Sequence, residues 1–121
     1  MKNKNTAVIG ATPNPQRYAY LATSRLASHG HKVYPVGIHE GEIEGHKILT
    51  DFPKLRDIDT VTLYVGPKNQ VHWIDYILGL NPKRIIFNPG TENPVLENAA
   101  REKGIESVHG CTLVMLSVGE Y

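Results

Sequence analysis

The feature that most constrains the fold is a junction near the start of the chain, Asn5-Thr-Ala-Val-Ile-Gly-Ala-Thr-Pro-Asn-Pro-Gln-Arg-Tyr18. A short apolar run stops at Gly10 and enters a loop rich in proline and asparagine. Apolar residues then recur at helical spacing, which predicts a helix over residues 16–29. A buried strand, a loop and an amphipathic helix in this order are how a parallel α/β sheet begins. The loop between them is where such sheets hold phosphates.

Apolar segments and turn residues continue this pattern along the chain. The strand-like segments are short and apolar, and the one at residues 60–65 is continuously apolar or neutral, as burial on both faces requires. Helical segments separate them, with Asn93 capping one helix and Gly104 closing it. Five strands separated by helices predict a doubly wound, mostly parallel five-stranded α/β sheet with helices on both faces. The strands are expected at residues 6–10, 32–36, 60–65, 83–87 and 105–108.

Three shorter segments complete the expected organisation. A small ribbon is predicted around Gly45, and a short helix at residues 51–55. The residues after the fifth strand are expected to form a short tail.

The helix expected at residues 67–80 carries two apolar stripes. We assign one to the core, so the other would lie partly in water, and exposed apolar patches often mark partner sites. This predicts a homodimer through the outer stripe. The inner stripe is Val71, Ile74 and Leu78, and the outer stripe is Trp73, Tyr76 and Leu80.

Composition excludes several classes of protein. The 121 residues are expected to form one domain, and a net charge of +1 argues against a nucleic-acid partner. The single cysteine, Cys111, forms no intrachain disulfide, which fits a reducing compartment. No apolar run approaches the length of a signal peptide or a membrane span. We therefore expect a cytoplasmic protein with no membrane partner.

The first loop has the strongest functional content. Backbone N–H groups at the start of its helix favour an anion, and Arg17 adds a charge that can hold a phosphate. The loop has one glycine, whereas the dinucleotide fingerprint has three. NAD binders also usually place an acid at the end of the second strand, and this sequence has Gly37-Ile-His39 there.

No pattern indicates a metal or a catalytic group. The six histidines lack the spacing of a zinc site. Cys111 has no recognisable acid–base partner, and a lone cysteine is commonly a small buried hydrophobe. We therefore expect no metal and no enzymatic activity.

Six short segments follow one another in an order that is more specific than any of them alone. They are Val8-Ile-Gly-Ala-Thr-Pro-Asn-Pro15, Val33-Tyr-Pro-Val36, Glu44-Gly45, Tyr64-Val-Gly-Pro67, Phe87-Asn-Pro-Gly90 and Gly110-Cys111. Together they resemble the small, single-domain CoA-binding proteins, which are similar to the N-terminal CoA-binding domain of the succinyl-CoA synthetase α subunit. The resemblance covers essentially the whole chain and implies a Rossmann-like fold that binds the nucleotide end of coenzyme A.

The resemblance also implies where the ligand lies. The first loop would meet the pyrophosphate, and the loop after the second strand would meet the adenosine 3′-phosphate through His39, where relatives often carry lysine. The loops after the third and fourth strands would border the rest of the ligand, and Cys111 matches a family cysteine. The implied binding residues are Gly10, Thr12, Pro13, Asn14, Arg17, His39, Val65, Gly66, Pro67, Phe87, Asn88, Pro89, Gly90 and Cys111.

The ligase chemistry of the synthetase does not carry over, because its phosphorylated histidine belongs to a separate C-terminal domain. We therefore expect non-catalytic binding of coenzyme A or an acyl-CoA. Two alternatives stay open at this point. One is an NAD(P)-binding module that works with a separate partner chain. The other is a structural interaction domain with a degenerate ligand site.

Overall fold

The computed structural model describes residues 2–121 and contains a five-stranded sheet, a two-stranded ribbon and five helices in that range. The elements are, in chain order, β1 (Thr6–Ile9), α1 (Tyr18–Ser28), β2 (Val33–Val36), β3 (Glu42–Ile43), β4 (His46–Lys47), β5 (Thr60–Leu63), α2 (Pro67–Gln70), α3 (Ile74–Gly79), β6 (Arg84–Phe87), α4 (Pro94–Glu102), β7 (Glu106–His109) and α5 (Thr112–Ser117).

The large sheet is parallel throughout, in the order β2-β1-β5-β6-β7. The chain runs from β1 through α1 to β2 on one side, and then crosses to β5 on the other side of β1. The loops that leave β1 and β5 therefore diverge, and they open a crevice at the carboxyl ends of these strands. The predicted fold class is confirmed.

Alternate residues of each central strand enter different cores, because successive side chains point to opposite faces of a sheet. In β1, Ala7 and Ile9 join the core beneath α3 and α4, whereas Val8 joins the core beneath α1 and α5. All four residues of β1 are fully buried, as are all four of β5. Helices thus cover both faces, as predicted.

The expected helix over residues 67–80 is two helices. Ile74 and Leu78 pack against the core as expected, but the assignment was wrong for Val71 and for the outer stripe. Trp73 is only 6% exposed and Ile77 is fully buried, whereas Val71 is 67% exposed. Ile77 belongs to neither expected stripe. It lies four residues after Trp73 and three before Leu80, so these three residues share the helical face that packs against the core. The expected homodimer surface of Trp73, Tyr76 and Leu80 therefore packs inside the chain.

Two smaller expectations also need correction, and one is confirmed. Residues 51–55 form no helix, because the backbone of Asp51 and Phe52 adopts positive φ angles of 61° and 52°. The expected tail contains α5, whose Leu116 is buried against the sheet. The ribbon around Gly45 is present as β3 and β4.

Candidate functional site

A cavity of about 800 Å³ lies at the carboxyl ends of the strands, over the crevice between β1 and β5. This volume is within the range of small-molecule binding sites. Its walls come from the loops after β1, β2, β5 and β6, from the start of α1, from Phe52 and from the α2–α3 junction. The lining residues are Gly10, Ala11, Thr12, Asn14, Arg17, Tyr18, Ala19, Gly37, Ile38, His39, Phe52, Tyr64, Val65, Gly66, Asn69, His72, Trp73, Pro89, Gly90 and Thr91.

Close backbone packing fixes the loop that follows β1. The N–H groups of Gly10 and Ala11 both donate to the carbonyl of Val36, at 2.9 and 3.0 Å. A Cβ atom on Gly37 would lie 2.3 Å from the carbonyl oxygen of Ala11, so only glycine fits there. Gly10 has φ of 99°, which glycine adopts without strain. The loops after β1 and β2 are thus held against each other at one end of the cavity.

Some polar side chains of the first loop already form hydrogen bonds within the protein, and one does not. The side-chain oxygens of Thr12 and Asn14 accept hydrogen bonds from the backbone N–H groups of Asn14 and Gln16, at 3.3 and 3.0 Å. They therefore shape the loop itself. The guanidinium of Arg17, in contrast, has neither a hydrogen bond nor an ion pair with any residue in the described range 2–121.

The start of α1 adds backbone donors. The N–H of Arg17 donates to the carbonyl of Asn14 at 3.1 Å, and Tyr20 donates to the carbonyl of Arg17. The intervening N–H groups of Tyr18 and Ala19 have no backbone partner among residues 2–121, and both residues line the cavity. Such orphan donors at a helix start, with the positive end of the dipole behind them, favour an anion.

The cavity is lined by basic side chains and, among residues 2–121, by no carboxylate. Arg17, His39 and His72 line it, and the lining from residues 2–121 includes no aspartate or glutamate. This distribution favours a ligand with several negative charges.

Gln70 holds the opposite wall together. Its side chain is fully buried, and its Nε2 donates to the carbonyls of Val65, at 2.8 Å, and Thr91, at 2.6 Å. Its Oε1 accepts from Asn93 Nδ2 at 3.0 Å, and Asn93 caps α4 through the N–H of Val95. Val65 and Thr91 line the cavity, so this one amide joins the loop after β5 to the loop after β6.

Asn88 lies beneath the cavity and connects the sheet to α5 through hydrogen bonds. It is 2% exposed, donates to Thr62 Oγ1 and the carbonyl of Leu63, and accepts from the N–H of Thr112 at 2.9 Å. These bonds tie the start of α5 to the sheet.

The hydroxyl of Tyr64, which lines the cavity, is buried with no partner in hydrogen-bonding geometry across residues 2–121. Burial raises the pKa of Tyr64, so its phenol stays protonated and can donate.

The structure brings nine of the fourteen expected residues to the cavity. Pro13 packs beside Gly41 on the outside of the loop, and Pro67 opens α2. Phe87 is 1% exposed in the core. Asn88 lies below the cavity, and Cys111 lies at the N-cap of α5; these two complete the five expected residues that do not line it. The nine are Gly10, Thr12, Asn14, Arg17, His39, Val65, Gly66, Pro89 and Gly90.

Sequence reasoning missed the aromatic part of the lining. Tyr18 was assigned to a helix, and Trp73 to an outer surface. Phe52 lies in a segment expected to be helical, which gave no reason to place it near the strand ends. The sequence did contain a signal for Trp73. Ile77 lies four residues later on the same helical face, and assigning both residues to one buried stripe would have placed Trp73 toward the sheet and the crevice.

No group of three or more His, Cys, Asp or Glu side chains within residues 2–121 is arranged to hold a metal ion. Over the same range, every helix is too short or too polar to cross a membrane.

Comparisons with solved structures identify similar chains. A crystal structure of an uncharacterized protein is 55% identical, with a TM-score of 0.97 and complete coverage of both chains. A hypothetical protein from Pyrococcus horikoshii OT3 is 28% identical, with a TM-score of 0.85 over 95% of this chain and 82% of that one.

A larger protein shares the fold. The dinucleotide forming acetyl-coenzyme A synthetase 1 of Ca. Korarchaeum cryptofilum, solved with phosphate and ADP, is 22% identical at a TM-score of 0.71. The match covers 88% of this chain and 25% of the synthetase chain.

No curated protein matches the chain. A profile of the CoA binding domain matches residues 4–117, which confirms the resemblance noted from the sequence motifs. Because this match spans nearly the whole sequence, the chain belongs to the CoA binding domain family.

Proposed function

We propose that this protein binds coenzyme A or an acyl-CoA in the cavity at the strand ends, and that it does so without catalysing a reaction. The observation that carries the proposal is the Arg17 guanidinium at the start of α1, which has no partner among residues 2–121 and lies beside orphan backbone donors, in a cavity whose lining from that range includes no carboxylate. Coenzyme A carries a pyrophosphate and a 3′-phosphate, so it matches this distribution of charge. Family membership supports the same ligand class.

The arrangement of the ligand follows the cavity from one end to the other. The pyrophosphate meets the N-terminus of α1 and Arg17, because charge-assisted bonds from a guanidinium to phosphate are strong and directional. His39, on the loop after β2, meets the 3′-phosphate. The pantetheine arm then crosses the loops after β5 and β6, near Gly66 and Gly90.

The chemical character of the lining supports binding rather than turnover. Acyl transfer needs a nucleophile with an adjacent base. Within residues 2–121 the lining has no cysteine, serine, aspartate or glutamate, and its two threonine hydroxyls are engaged with the backbone: Thr12 accepts from the N–H of Asn14, and Thr91 donates to the carbonyl of Asn88. In that range, neither threonine is hydrogen-bonded to either histidine of the lining. Cys111 lies outside the lining, at the N-cap of α5.

Isothermal titration of the protein with CoA, acetyl-CoA, NAD⁺ and NADP⁺ tests the proposal. We expect saturable binding of CoA or acetyl-CoA, with a rise in melting temperature, since a ligand that binds only the folded state stabilises it. Tighter binding of NAD⁺ or NADP⁺ would overturn the proposal in favour of a dinucleotide-binding module. Absence of binding by all four ligands would favour a structural domain with a degenerate site.

A further inference from the structure

Phe52 adopts a backbone conformation that a bulky residue rarely takes. Its φ is 52°, and that of the preceding Asp51 is 61°, so two consecutive residues other than glycine lie in the left-handed region. Residues 50–59 contain no helix or strand. Strained backbone of this kind persists only where the surrounding structure holds it, and it concentrates at ligand-binding sites.

Aromatic contacts hold the strained segment in place. The Phe52 ring lies 5.1 Å from the Trp73 ring at an interplanar angle of 56°, and 5.3 Å from the Tyr76 ring in an edge-on arrangement. The Tyr76 hydroxyl donates to the carbonyl of Pro53. Two rings of the α2–α3 region therefore back Phe52 and fix where it stands.

The Phe52 side chain nevertheless remains 49% exposed, and it lines the cavity. Two other large apolar side chains that line the same cavity are also exposed, Tyr18 at 70% and Ile38 at 75%. The other large exposed hydrophobics of residues 2–121 are valines outside the cavity. Exposed aromatic and branched side chains therefore collect where a ligand would cover them.

We propose that Phe52 is a stacking platform for the adenine ring of the bound ligand, with Ile38 and Tyr18 completing an apolar clamp. This inference rests on the proposed function and adds to it the residue that selects the base. A planar heteroaromatic ring suits a half-covered phenyl face, because aromatic rings attract each other in offset or tilted stacks. Ile38 precedes His39, which places this clamp at the adenosine end of the ligand and away from the pantetheine arm.

Trp73 reports on this contact directly. It is the sole tryptophan of the sequence, it lines the same cavity, and its ring lies 5.1 Å from the Phe52 ring. Adenosine 3′,5′-bisphosphate is expected to change the fluorescence of Trp73, after correction for absorption by adenine. 4′-Phosphopantetheine, which lacks the base, is expected to leave it unchanged. Equal responses to the two halves of coenzyme A, or no response to the first, would overturn the proposal.

Variants at Phe52 separate stacking from bulk. Phe52→Leu keeps an apolar side chain but lacks the π face, so CoA affinity is expected to fall roughly 5- to 150-fold, the usual range for losing one base–aromatic stack. Phe52→Tyr keeps the ring and is expected to bind CoA as the parent does. Val114→Ala, an exposed apolar position on α5 outside the cavity, is the control for general surface effects. Melting temperatures of all variants show whether the fold is retained.

The outcomes distinguish this inference from the proposed function. If the parent and Phe52→Leu bind CoA equally, Phe52 is not a platform, and the proposed function stands. If Phe52→Tyr loses affinity as Phe52→Leu does, the ring is not what the ligand contacts, and the inference is again overturned. If the parent does not bind CoA at all, both the proposed function and the role of Phe52 are overturned.

Discussion

Single side chains in the first loop show how a residue's existing bonds indicate its role. Thr12 and Asn14 already bond the loop backbone, whereas Arg17 has a cationic head with no protein partner within residues 2–121. Arg17→Ala is therefore expected to weaken CoA binding by about 1.5–3 kcal/mol, the usual worth of a hydrogen bond to a charged group. Calorimetric titration of parent and variant measures this difference.

Arg25 on the same helix provides the matched control for Arg17. It lies in the last turn of α1, exposed and outside the cavity. Arg25→Ala removes the same charge from the protein and is expected to bind CoA as the parent does. If both variants lose affinity equally, the effect is long-range charge and Arg17 has no direct contact with the ligand.

His39 makes a second prediction at the scale of one residue. A lysine ammonium carries its charge at pH 8 and can pair with a phosphate. His39→Lys is therefore expected to tighten CoA binding at about pH 8, and to leave dephospho-CoA, which lacks the 3′-phosphate, nearly unchanged. A variant that binds both ligands as the parent does would place His39 away from the 3′-phosphate.

At the scale of elements, Gln70 couples two loops that the sequence presents as unrelated. Gln70→Met keeps the length of the side chain, but it leaves the carbonyls of Val65 and Thr91 without their shared donor. We expect the free energy of unfolding to fall by about 1–3 kcal/mol, since buried polar groups are left unpaired. We also expect weaker CoA binding, because both loops border the cavity.

Tyr121→Phe separates the two effects of Gln70→Met. The Tyr121 hydroxyl shares a buried hydrogen bond with Thr6 Oγ1 at 2.6 Å, at the amino edge of the sheet and away from the cavity. Its loss is expected to lower stability without changing CoA affinity. If Gln70→Met behaves in the same way, Gln70 supports the fold alone and does not set the geometry of the site.

The elements also show where sequence reasoning reaches its limit. The central strands were predictable because they are runs without charged residues, as in β1 and β5, and parallel strands place their loops at one edge. The break between α2 and α3 was not predictable, because the apolar residues at positions 67–80 are compatible with either of two helix faces turned toward the core. Nothing local in residues 50–59 predicts left-handed backbone at Phe52, since this conformation depends on packing against Trp73 and Tyr76.

Across the whole molecule, the two edges of the sheet have different contents. The carboxyl edge holds the cavity and the free Arg17. At the amino edge, residues from both ends of the chain pack together: Lys4 donates from its backbone N–H to His31 Nδ1 at 2.9 Å, and the Tyr121 ring lies 4.9 Å from the His31 ring in a tilted arrangement. Nine of the expected site residues line the cavity because they lie on the loops that leave parallel strands, whereas the aromatic part of the lining depends on packing between separate elements.

His31, at the amino edge, gives the molecule a pH-dependent stability that is independent of any ligand. Burial, reinforced by the charge of Lys4, lowers the pKa of His31 below its ordinary value of 6.5. Just below pH 6.5 the unfolded chain therefore binds more protons than the folded one. The free energy of unfolding is then fully developed above that pH and falls as the pH drops through 6.5 toward the lower folded pKa.

His31→Asn tests this linkage, since asparagine offers an acceptor near the position of Nδ1 but does not titrate. Denaturant unfolding followed by Trp73 fluorescence, at pH values from about 7.5 to about 5.5, gives the free energy of unfolding of both proteins. The parent is expected to lose more stability over this range than the variant. The other five histidines are common to both chains and cancel in the comparison. Parallel pH profiles would contradict the prediction and would mean that His31 is protonated equally well in the folded and unfolded chains.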